Sequence, residues 1–80
     1  MSAVKVVIDN WDPINLLSHA PGDEYDLEIT EIELLLKSTK DCNELAIGIF
    51  DIFVRFFGNE TFNKSYDECI QIAQRILSDE

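Results

Sequence analysis

Residues 42–57 read Cys42-Asn43-Glu44-Leu45-Ala46-Ile47-Gly48-Ile49-Phe50-Asp51-Ile52-Phe53-Val54-Arg55-Phe56-Phe57. No period-2 alternation competes with a helical reading of this run. Asp41 precedes it, with Glu44 three positions on, a variant capping box whose carboxylate takes the place of the usual hydroxyl. Gly58 follows as a helix stop. Only Gly48, Asp51 and Arg55 interrupt the apolar run beyond its first turn, and they form a narrow stripe. A helix apolar on nearly every side must be covered on nearly every side. The stretch is therefore expected to be the central helix of a bundle, or to meet another chain.

Reading outward from it, three more helices are predicted. Towards the carboxyl end, Ser65 and Glu68 have capping-box spacing and open a helix over about 66–78. Tyr66, Cys69, Ile70, Ala73, Ile76 and Leu77 form its expected inner face, and Ile72 is expected to be exposed. Towards the amino end, Tyr25, Ile29, Ile32 and Leu36 recur at helical intervals and predict a helix over about 24–38. Acids lie in its first turns and Lys37 and Lys40 at its end, as the helix dipole favours. Glu24, Glu28 and Glu31 are expected on the face opposite the apolar stripe. A first helix over about 3–10 aligns Val4, Val7 and Ile8 with Trp11, and Pro13 ends it by disfavouring helical geometry at Asp12. Residues 11–23 form an irregular loop with a turn at Pro21-Gly22. The expected fold is all-α, a compact single domain of four helices over 1–80. Short connections favour antiparallel packing of neighbours.

The chain has 80 residues and a formal net charge of −10, from sixteen acids and six bases. Between Lys5 and Lys37 there is no Lys or Arg, while Asp9, Asp12, Asp23, Glu24, Asp26, Glu28, Glu31 and Glu33 all lie there. Such a field disfavours nucleic acid and anionic membranes as partners and steers a basic protein in. Two cysteines, no signal-peptide pattern and no apolar run approaching a membrane span point to the reducing cytosol.

Catalytic and metal chemistry find little support. His19 is the single histidine, and any Cys-His or Ser-His-acid constellation would have to use it. Cys42 lies in a first helical turn, where the dipole lowers a thiol pKa, but Asp41 and Glu44 beside it act in the opposite direction. Asp23, Glu24, Asp26 and Glu28 lack the alternating ligands and central glycine of a calcium loop. Paired Cys and His ligands for zinc are missing as well. The expectation is a protein without enzymatic activity, cofactor or metal, binding a basic protein partner through Asp23, Glu24, Glu28 and Glu31. The most specific form of that expectation is an immunity- or antitoxin-like inhibitor of a basic toxin domain. The alternative is a homo-oligomeric structural protein that uses the apolar helix 42–57 as its interface, a homodimer being the simplest case.

Trp11-Asp12-Pro13, Tyr25-Asp26-Leu27-Glu28, the apolar helix, and the segment with Cys69, Ile70, Ala73, Arg75, Ile76 and Leu77 resemble the YugE-like family. Its members are small bacterial proteins grouped as a domain of unknown function. The resemblance spans nearly the whole chain and implies a compact helical protein of a bacterial cytosol. It brings no activity. Trp11, Asp12 and Pro13 are expected to act structurally, with Trp11 roofing the core.

Overall fold

A computed structural model describes residues 3–14 and 25–79. Four helices account for most of them: α1 (Ala3–Trp11), α2 (Asp26–Ser38), α3 (Cys42–Phe57) and α4 (Tyr66–Asp79). No strand occurs among the described residues. The architecture is the all-α bundle of four helices expected from the sequence. Most of the irregular loop predicted over 11–23 lies outside the described residues, as does the predicted start of α2 at Glu24.

The helix ends follow the predicted chemistry. Asp41 accepts a hydrogen bond from the Glu44 backbone N–H at 3.0 Å, and the Thr39 hydroxyl donates to the Glu44 carboxylate at 2.6 Å. Ser65 caps α4 in the same way, its Oγ accepting from the Glu68 N–H at 3.1 Å. The Asp41 and Ser65 bonds each satisfy an amide that the helix leaves without a partner. At the far end of α3, Gly58 has φ 85° and ψ 159°, a conformation that is almost exclusive to glycine, and its N–H closes the last turn on the Val54 carbonyl. Asp12 has φ 44°, in the left-handed region, and so breaks α1 just before the buried Pro13.

The helices form a ring in which α1 borders α2 and α4, and α3 borders the same two. α2 and α3 are antiparallel: Leu35 lies over Gly48, and Glu31 reaches Arg55. The α3–α4 pair departs from the antiparallel expectation. Tyr66 Oη donates to the Asn43 carbonyl at 3.4 Å and Cys42 Sγ to the Ile70 carbonyl at 3.6 Å, so the first turns of the two helices lie side by side. The connection 58–65 makes this possible by running back along α3. Phe62, midway, is buried against Phe50 and Phe53, with ring centroids 5.7 and 5.2 Å away. Eight residues span up to about 27 Å and the sixteen-residue α3 about 24 Å, so the return needs no further chain.

The core is one cluster drawn from every helix, with Leu45, Ala46, Ile49, Ile52 and Phe53 of α3 at its centre. Phe50, Val54 and Phe57 pack against its margin. The apolarity of α3 is thus largely accounted for inside the bundle. Trp11 roofs the core as expected, standing edge-on to Phe53 and Phe62. Two burial expectations are corrected on α4. Ile72 is 4% exposed rather than outward-facing, and Tyr66 is exposed rather than inward-facing. A helix that borders two others buries a wider arc than one stripe, and on α4 that arc is rotated towards Ile72.

Candidate functional site

The acidic face expected on α2 is the first site to be placed. Asp23 and Glu24 lie outside the described residues, as does His19. Glu28, expected on the solvent face, is 3% exposed, buried on the same side as Ile29, Ile32 and Leu36. The reason is angular. At about 100° per residue, Glu28 sits only about 70° from the mean direction of the Tyr25, Ile29, Ile32 and Leu36 stripe, so it flanks that stripe and does not oppose it. Glu31 lies further round and remains partly exposed, 3.9 Å from Arg55 Nη2. The predicted contact set is therefore not brought together on one open face: among its described members, Glu31 alone is open to solvent.

Other carboxylates of the cation-poor segment have intramolecular roles. Lys5 Nζ lies 2.9 Å from Asp9 Oδ2 and 3.9 Å from Asp26 Oδ1, so one ammonium serves two helices. Tyr25, fully buried, donates its hydroxyl hydrogen to Asp12 Oδ1, and the Tyr25 hydroxyl oxygen accepts from the Ile14 N–H at 3.2 Å. Trp11 Nε1 donates to Glu68 Oε2. These bonds tie the end of α1 to the starts of α2 and α4. They give Trp11, Asp12 and Tyr25 a structural purpose, because a buried phenol or indole without an acceptor would be costly.

The two cysteines are free and differ in character. Cys42 is half-buried, while Cys69 is fully buried and behaves as a small hydrophobe. Burial, with the Glu68 carboxylate next to it, pushes the Cys69 thiol up from 9.0 to about 11. No group of three or more His, Cys, Asp or Glu side chains among the described residues could hold a metal ion. No helix there is long and apolar enough to cross a membrane.

A different surface emerges along α2 and α3. Leu27 and Leu34, seven residues apart on α2, are 68% and 54% exposed, and Ile47 on α3 is 57% exposed. Between the two helices runs a cleft of about 350 Å³, floored by Leu35, Gly48 and Ile52. Gly48 permits the close approach of the helices there, since a Cβ at that position would fall 2.0 Å from Leu35 Cδ2. Glu31, Asp51 and Arg55 line the same cleft, and Arg55 Nε bonds Asp51 Oδ2 at 3.1 Å. Sequence reasoning missed this surface because Ile47 and Leu34 sit within runs of apolar residues that periodicity assigns to a core. The signal available was their position, on the far side of each helix from the capped, core-facing stripe.

Fold and surface together define a small helical domain with a tied polar end and one partly apolar, charged cleft. The chain belongs to the family described as a domain of unknown function (DUF1871), whose model matches residues 3–78. No match to the chain was found among curated proteins or among solved structures.

Proposed function

We propose that this domain is a non-catalytic, acidic protein-binding module for a basic protein partner. The observation that carries the reading is the net charge of −10, with no lysine or arginine from residue 6 to 36. A field of that size raises the encounter rate of a cationic protein and repels nucleic acid. Its narrowest form is an immunity- or antitoxin-like inhibitor of a basic toxin domain, which needs a rigid acidic surface and no chemistry of its own. The Trp11-Asp12-Pro13 and Tyr25-Asp26-Leu27-Glu28 signatures support a YugE-like bacterial member of the family acting in the reducing cytosol. Burial of Glu28 shifts the expected contacts to the carboxylates that stay in solvent, Glu31 and Asp51 among them.

The test is co-expression with the basic proteins encoded beside its gene, followed by purification at low and at high salt. A basic protein retained at low salt and released at high salt is the expected result, because exposed charges are screened beyond a Debye length. Retention of no basic protein under either condition would sink the proposal.

A further inference from the structure

We infer that the α2–α3 cleft docks a cationic amphipathic helix of the partner protein, a deepening that rests on the basic-partner reading above. The cleft runs between two antiparallel helices and is lined by Leu34 and Leu35 of α2 and Ile52 of α3. Leu27 on α2 and Ile47 on α3 are further exposed apolar side chains on the same two helices, outside that lining. Leu27 and Leu34 are about 10.5 Å apart along the helix, the spacing at which a docked helix presents successive i and i+7 anchors. Exposed aliphatic side chains on the two helices that form one concavity are the kind of anchors that form the desolvated centre of an interface.

Charge selects the occupant. Two carboxylates in the cleft, Glu31 and Asp51, share the single guanidinium of Arg55, so the walls are left net negative. Both pairs are largely solvent-exposed, and such pairs hold their partners weakly, so a lysine or arginine from outside can join them at little cost. A second copy of this chain would bring the same net-negative surface and a charge of −10 against an equal charge. Another apolar concavity, about 460 Å³ between Val4 of α1 and Leu34 and Leu36 of α2, carries Lys37 and Lys40 against the single carboxylate of Glu33, a net-positive rim that disfavours a cationic segment. The acidic cleft is therefore the one that matches a basic helix.

The experiment is a titration of the isotope-labelled domain with a designed helical peptide of leucine and lysine, and with a control in which glutamate replaces lysine. Amide shifts confined to 27–38 and 44–55 with the lysine peptide, and none with the glutamate peptide, are expected. Replacing one exposed apolar side chain on each helix at once, Leu34→Ser with Ile47→Ser, should weaken the lysine peptide by at least about tenfold while spectral dispersion shows an intact fold. Because both positions are exposed, the variant keeps its core. Equal binding of both peptides, or an unchanged affinity in the double variant, overturns the inference. Shifts on α1 or α4 would leave the basic-partner reading in place and remove this cleft from it. No binding of the lysine peptide at all removes both. Concentration-dependent dimerisation abolished by Leu34→Ser would make a second copy the occupant and overturn it too.

Discussion

Tyr25 and Cys69 show how a residue's chemistry is set by where its neighbours place it. Tyr25 carries a hydroxyl into a site with no exposure, and that hydroxyl both donates to Asp12 and accepts from Ile14. Tyr25→Phe keeps the ring and strands those two groups, so it should cost about 1.5–3 kcal/mol, the range for a bond to a charged acceptor. Urea unfolding checks this. A loss below half a kilocalorie would show the knot to be incidental. Cys69 gives a second test. In the native protein a thiol reagent should modify Cys42 and leave Cys69 untouched until the chain unfolds, because the reactive species is the thiolate. The same shift has a consequence for stability. The folded thiol keeps its proton to about pH 11, whereas an unfolded thiol ionises near 9.0, so the unfolded chain loses its proton first. Stability should be fully retained below 9.0 and should fall as the pH rises towards 11. A Cys69→Ala variant should lack that alkaline decline.

At the scale of the element, α2 illustrates how far pattern alone can carry. Its existence, its length to Ser38 and its apolar stripe were legible from Tyr25, Ile29, Ile32 and Leu36. The placing of Glu28 was not. A stripe gives the centre of a helix's buried arc, and the width of that arc depends on how many neighbours the helix has. α2 touches two, and its arc takes in Glu28. Two substitutions separate the readings. Glu31→Ala, on a loose and exposed pair, should change stability by less than about 0.5 kcal/mol, and Glu28→Ala should cost about 1–3 kcal/mol. Equal, small effects in thermal unfolding would place Glu28 on the surface after all. Ile72 on α4 is the mirror case, an apolar residue left outside the predicted stripe and claimed by a second neighbour.

For the whole molecule, the charge is the dominant quantity. Sixteen acids on 80 residues repel one another, and two of the six cations, Lys5 and Arg55, are each shared between two carboxylates. Added monovalent salt should therefore raise the melting temperature, because screening relieves net repulsion more than it weakens a handful of exposed pairs. A melting temperature that falls with salt would mean that these pairs outweigh the repulsion. The α3–α4 arrangement belongs to this scale as well. Short connections suggested antiparallel neighbours, but Phe62 draws the connection 58–65 back along α3 by packing between Trp11, Phe50 and Phe53. One aromatic residue in a connection thus sets the direction in which the last helix starts.

Sequence by itself determined the number of helices, both capped starts, the glycine stop at Gly58 and the sign of the net charge, because these depend on local backbone chemistry and on summed charge. Tertiary structure alone decided which residues at the margins of each stripe are buried, that Trp11 meets Glu68 and Asp12 meets Tyr25, and that Leu27, Leu34 and Ile47 stay exposed on the two helices that form the cleft. Those outcomes depend on the relative rotation and order of packed helices, which arises only when distant parts of the chain are brought into contact.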